Sequence, residues 1–185
     1  MLKLNWKESA EALPQFVLRI NRGNSLGLNA DFVIRCLFAV SNLGAKFDLD
    51  LLRNRGNVQT LRNNFDRCCD GISAAIDFLT EHCWIHNSDL LGGRAALVPF
   101  VYYFFHKDKH RIPNSQIPRA RRALYWFGFS RAFSRYGDSR AGAFIRDVLK
   151  PLAESGDTKF PAEQAQGRVA HWESLNEFGA DLLKR

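Results

Sequence analysis

The chain has 185 residues, 46% of them apolar and 24% charged, and a formal net charge of +7. This is the size and balance of one globular domain that buries a core without disulfides or structural metals. The longest apolar run, Ala95 to Phe105, contains Pro99 and falls well short of the roughly 20 residues that cross a bilayer, so no membrane role is expected.

Met1 to Leu13 is weakly amphipathic through Leu2, Leu4, Trp6 and Leu13, and Pro14 interrupts it. Phe16 to Ile20 suits either strand or helix. Asn21 to Leu28 is loop by composition, rich in Gly and Asn. Asn29 suits a helix N-cap, and Asp31 places a negative charge in the first turn, where it meets the helix dipole. The helix that follows carries Phe32, Val33, Ile34, Cys36, Leu37, Phe38 and Val40. It is apolar nearly all round apart from Arg35 and belongs at the centre of a bundle. Asn42 and Gly44 end it. Phe47 to Leu52 reads as a short helical turn, and Arg53 to Asn57 as a polar turn around Gly56.

Val58, Leu61, Phe65, Cys68, Ile72, Ile76, Leu79 and Cys83 then step by three or four, the clearest helix in the chain. Gly71 sits inside it at a cost of about 1 kcal/mol relative to Ala, which suggests that a neighbouring helix needs a close approach. Asn87, Ser88, Gly92 and Gly93 mark a loop. Arg94 to Phe105 is a second core helix, with Pro99 kinking it or ending its first part. His106 to Pro118 is a basic loop. Pro118 suits the first turn of a helix through Ala123, Leu124, Trp126, Phe127, Ser130 and Phe133, which Gly137 stops. Asp138 or Ser139 caps the next, with Phe144, Ile145, Val148, Leu149 and Leu152 as its stripe. Ser155 to Gly167 reads as a linker around Pro161. Val169 to Leu183 makes a last amphipathic helix from Trp172, Leu175, Phe178, Leu182 and Leu183. No stretch has the period-two pattern of a strand, and no repeat is visible. The expectation is an all-α, single-domain bundle of about six helices: a lead-in at 1–28, a helical core at 29–154, and a linker with a C-terminal helix at 155–185.

The charge is unevenly placed. From His106 to Lys150 there are eleven Lys or Arg against Asp108, Asp138 and Asp147, a local +8 that accounts for the whole basic excess. Arginine outnumbers lysine by eighteen to eight, which suits bidentate contact with phosphate or carboxylate. The four cysteines, Cys36, Cys68, Cys69 and Cys83, form no CxxC pair and read as buried thiols in a reducing, cytoplasmic compartment. No basic segment leads into an apolar stretch and a cleavage site, so no secretory signal is expected.

Four pieces carry a family resemblance: DFVIRCLFAV at 31–40, AAIDFLTEHCWI at 74–85, RAALVPFVYYFF at 94–105 and ALYWFGFSRAFSRYGDSRAGAFIRDV at 123–148. Their order and spacing, with the Arg135-Tyr136 turn, resemble the helical region of GmrSD-type proteins, which act in modification-dependent restriction and phage defence. The likeness covers roughly residues 29 to 150. Full-length members add an N-terminal ParB-like domain with a DGQQR-type motif, and an HNH nuclease as partner or fused domain. This chain has neither motif. The Arg19-Ile20-Asn21 tripeptide is similar to the family's "RIN.GG" loop but lacks its second glycine. The resemblance therefore implies a helical module without its catalytic half, and no family catalytic residue carries over.

Candidate chemistry is sparse. His82 and His86 are four apart and can share a metal on a helix, as can His106 and His110. Further ligands and the HExxH glutamate are missing, so core or boundary histidines are the better reading and no metal or cofactor is expected. Asp77 with Glu81, or Asp138 with Asp147, has nothing orienting it as an acid/base pair. Ser130 and Ser134 lie beside arginines rather than a histidine base. Gly92-Gly93-Arg94 precedes a helix, but it lacks the rest of a phosphate loop and reads as a tight turn. The arginines remain. Arg119, Arg122, Arg131, Arg135 and Arg140, if they share a face, can follow a phosphate backbone, with Tyr136 stacking or donating a hydrogen bond. The competing reading pairs them with acidic groups of another domain. Tyr125, Trp126, Phe127, Phe129 and Phe133 read as core. The expected protein is no enzyme: it contacts double-stranded DNA, or docks a nuclease or NTPase domain, through the arginines. The alternative is a protein-interaction or structural domain with no nucleic-acid role.

Overall fold

A computed structural model describes residues 9–157 and 159–182, with side chains at 11–107, 109–157 and 159–174. The expected stripe points Leu2, Leu4, Trp6 and Leu183, and the side chains of Leu175, Phe178 and Leu182, lie outside the described residues. The helices are α1 (Ser9–Ile20), α2 (Ala30–Val40), α3 (Arg55–Asp77), α4 (Val98–Phe105), α5 (Ile117–Phe129), α6 (Gly137–Phe144), α7 (Lys150–Glu154) and α8 (Ala162–Leu182). A π-helical turn, Ile145–Leu149, joins α6 to α7 in one rod, so seven helices form a single all-α arrangement among the described residues. These residues contain no strand. One isolated parallel bridge ties Ser25 to Asn87, with the Ser25 N–H donating to the His86 carbonyl at 2.7 Å.

Every residue of α4 is buried, because Val98 to Phe105 offers no polar face. α2, α3 and the α6–π-turn rod pack around it. Gly71 of α3 meets α4 where a Cβ would lie 3.3 Å from both the Val101 carbonyl oxygen and the Phe105 nitrogen, so the helix-weakening glycine is explained by close approach. Pro99 lies in the first turn of α4, and the preceding 3-10 turn Arg94–Leu97 is the separated first part of that segment. Aromatic rings link the layers. Phe100 stacks on Phe160 (5.1 Å, 15°) and on Phe78 (5.7 Å, 19°). Phe127 meets Phe133 (4.9 Å) and Phe144 (5.6 Å) edge to face.

The caps of α2 follow the sequence. The Asn29 side chain accepts the Phe32 N–H at 3.0 Å. At the other end Asn42 takes φ +59, with Asn42 N–H donating to Ala39 and Leu43 N–H to Phe38, a Schellman closure. Pro118 occupies the first turn of α5.

Four expectations change. Pro14 lies inside α1 rather than interrupting it: Leu13, Phe16 and Ile20 bury one stripe across the proline, which is itself exposed, and that burial outweighs the lost backbone bond. The long helix ends at Asp77 and continues as a π-helical turn, Phe78–His82. α5 ends at Phe129 rather than near Gly137, which instead begins α6. A continued helix would set Phe133 one turn above Phe129, on the solvent side. The chain instead reverses at Arg131 and brings Phe133 to 3% exposure against Phe127 and Trp172. Finally, the linker is shorter than expected. Phe160, Ala162 and Ala165 are fully enclosed, and α8 packs on α5 as part of the core.

Candidate functional site

The α5–α6 turn separates the sequence-predicted arginines into three kinds. Arg119 and Arg122, near the start of α5, share one acid on α8. Arg119 Nη2 pairs with Glu163 Oε2, and its Nε donates to the Phe160 carbonyl at 3.3 Å. Arg122 Nη2 lies 4.0 Å from Glu163 Oε1, and its guanidinium sits 5.5 Å over the Trp126 ring. Arg140 is 9% exposed. Its Nη1 donates to the Ala132 carbonyl at 2.6 Å, and its guanidinium lies 5.4 Å over the Trp172 ring. Burial pulls its pKa down. Arg140 therefore holds the turn from inside and does not share an outer face with the others, contrary to the sequence expectation.

Arg131, Arg135 and Tyr136 form the third kind, and all three are exposed. Arg131 closes α5: its N–H donates to Gly128 and the Ala132 N–H to Phe127, a Schellman motif with arginine at φ +51 where glycine is usual. Tyr136, at φ +54, opens α6 and is 74% exposed. Such left-handed residues are uncommon and cluster at functional sites. Among the described residues no carboxylate pairs with Arg131 or Arg135.

The 88–97 loop lies along this turn. A Cβ on Gly93 would stand 2.9 Å from the Phe133 carbonyl oxygen, and one on Gly137 would stand 2.9 Å from Ala95 Cβ. Arg94 is thereby set beside Tyr136, in a cleft of about 450 Å³ that Arg35, Lys46 and Asp138 also line. Asp138 is occupied by Arg35, which also pairs with Asp31 at 2.8 Å. Through Lys46, Asp138 and Ser139 the cleft runs into a larger groove of about 980 Å³. The groove's floor includes Ala45, Phe47 and Ile145, and Arg146 and Lys150 also line it. Sequence reasoning missed Lys46 and set Arg94 aside with the Gly92-Gly93 turn. Gly92 (φ +62) and Gly93 (φ +144) do make the tight turn expected of them, and that turn is what delivers Arg94.

The remaining candidates have structural occupations. The π turn ends at His82 and Trp84 takes φ +53, so His86 is not one helical turn above His82. Among the described residues no three His, Cys, Asp or Glu side chains gather at one point. His110 Nδ1 lies 3.0 Å from the Phe104 carbonyl oxygen, whereas His106 Nε2 is buried without a partner. Burial, then Arg67 and Lys107, lower the pKa of His106. Asp77 is pushed up by burial and by Glu81. Asp147 is held by Arg146 at 2.8 Å and Arg168 at 2.9 Å, away from any shared point with Asp138. The Ser130 and Ser134 hydroxyls donate to the Trp126 and Arg131 carbonyls at 2.6 and 2.8 Å. All four cysteines are free and buried, and burial pushes Cys69 and Cys83 up to about 12. Phe127 and Phe133 are core as expected, but Phe129 is 79% exposed. No helix among the described residues is long and apolar enough to cross a membrane.

No family model matches the chain, and no curated protein matches it.

Proposed function

We propose that the chain is a non-catalytic helical module of a GmrSD-like restriction or defence protein, and that it contacts the DNA backbone through the turn between α5 and α6. The observation that carries this reading is the exposure of Arg131 and Arg135 on the hydrogen-bonded turn between α5 and α6, with no carboxylate on either among the described residues. Arg94 and Lys46 extend the cationic surface along the adjoining cleft, and Tyr136 offers a hydroxyl at its edge. Arginines so placed contact phosphates in any sequence and position the duplex without reading bases. The docking alternative has its own support. Glu163 already engages Arg119 and Arg122, so arginines of this region accept a protein carboxylate.

Fluorescence anisotropy with a mixed-sequence duplex across a salt series tests the reading. The dissociation constant should weaken linearly on log axes, with a slope near 0.9 for each phosphate neutralised. Replacing Arg131 and Arg135 together with Ala should lower that slope by about two. No binding at low salt overturns the DNA reading and leaves the arginines as a docking surface.

A further inference from the structure

A second surface, built on α5 with Trp84 and Leu90, has different chemistry. Trp84 is 66% exposed and held at φ +53, an unfavourable backbone region for a bulky residue. The Arg121 guanidinium lies 5.3 Å over its ring, and Arg121 Nη1 reaches the His82 carbonyl at 3.4 Å. Tyr125 donates its hydroxyl to the Cys83 carbonyl at 3.0 Å. Its ring is 5.8 Å from that of Phe129, which is 79% exposed. Arg121, Tyr125 and Phe129 step by four, so they form a row about 12 Å long on one side of α5. Leu90, 57% exposed, is brought alongside because Gly128 has no side chain to hold its backbone away.

We infer that this face docks an amphipathic segment of a partner protein, whose apolar side chains cover Trp84, Phe129 and Leu90 and whose carboxylate pairs with Arg121. Trp, Tyr and Arg dominate the energetics of protein interfaces, and exposed apolar clusters mark them. Trp84 packs with Arg121 and Tyr125 with Phe129, which lowers the entropy these side chains lose on binding. Charge complementarity selects the partner. Among the described residues no carboxylate pairs with Arg121, so its free guanidinium edge accepts one. A nucleic acid fits this face less well than the α5–α6 turn. Arg121 is the one cation among Trp84, Leu90, Arg121, Tyr125 and Phe129, and Leu90 offers no ring to a base.

Selection from a displayed library of random peptides, with the whole chain as bait, supplies the probe. Enriched peptides should carry aliphatic or aromatic residues at helical spacing together with Asp or Glu. A labelled synthetic copy should bind at least about tenfold more weakly to Phe129→Ala and to Arg121→Gln, and equally well to Arg135→Ala. Leu90→Asp, at an exposed position, gives an independent variant, and circular dichroism checks the fold of each. The inference is overturned by no enrichment, by basic consensus peptides, or by binding unchanged in the Phe129 and Leu90 variants. It is equally overturned if oligo-dT displaces the peptide, or if the face proves to pair with a second copy of the chain, seen as a dimer lost in Phe129→Ala. Duplex binding that depends on Arg131 and Arg135 is scored separately, so either reading can fail alone.

Discussion

The carbonyl oxygen of Leu90 occupies the space in which a side chain at Gly128 would begin. The missing side chain lets the 88–91 loop lie directly on the last turn of α5, just before Arg131 reverses the chain. By helix propensity alone Gly128→Ala would stabilise α5 by about 1 kcal/mol. Here the obstructing atom belongs to the backbone and cannot swing aside. The variant should instead lose about 1–3 kcal/mol, as overpacked sites do, and chemical denaturation would measure it. A gain in stability would show that the loop is not held against the helix.

Glu163 ties Arg119 and Arg122 to α8 across an exposed interface, with side-chain exposures of 34% for Arg119 and 59% for Glu163. Such pairs contribute little, so Glu163→Gln should change stability by no more than about 1 kcal/mol. It removes a negative charge and releases two arginines at the start of α5, roughly 15 Å along the helix from the proposed DNA face and within reach of the same duplex. Duplex affinity should rise and its salt dependence steepen, both read by anisotropy. Unchanged affinity would confine phosphate contact to the turn and its cleft.

The parts of this structure legible in the sequence are those with a local signal. Asn29 and Pro118 are read from one position each, and Gly71 from its intrusion into a periodic stripe. The end of α5 carried no such signal, because Arg131 does what a glycine normally does there. The two π turns insert an extra residue per turn into stripes that keep stepping by three or four. Helical spacing groups Tyr125 with Phe129 but does not say which side faces water. Arg140 looks like its neighbours in sequence, yet it lies under Trp172, and only tertiary packing decides that. The pairing of Arg119 with Glu163 spans 44 residues and leaves no local pattern.

Arg140 and Arg135 should separate cleanly under mutation. Arg140→Met keeps an apolar stem beneath Trp172 but removes the donor from the Ala132 carbonyl, at a cost of about 1–3 kcal/mol. Arg135 is exposed, and its replacement by Ala should alter stability by less than about 0.5 kcal/mol while weakening duplex binding. Thermal melts beside anisotropy distinguish the two. A stable Arg140→Met protein would mean that the turn does not depend on this hydrogen bond.

His106 should make stability sensitive to mild acid. Its Nε2 is buried without a partner, and its ring packs 4.5 Å from Tyr102 and 5.0 Å from Phe105. Burial first, then the charges of Arg67 and Lys107, lower its pKa from the ordinary 6.5. The unfolded chain therefore binds this proton more readily than the folded one. The contribution of neutral His106 is complete above the unfolded value and declines as pH falls below it. Its slope vanishes once pH passes the lowered folded value. While it lasts, the slope cannot exceed about 1.4 kcal/mol per pH unit, the limit for one proton. His106→Leu removes the titration, so the stability of the parent minus that of the variant should fall between about pH 7.5 and about pH 5.5 in a denaturation series. A difference that stays flat would mean that the fold opens to admit the proton, and one that rises in acid would mean that a carboxylate reaches the imidazolium.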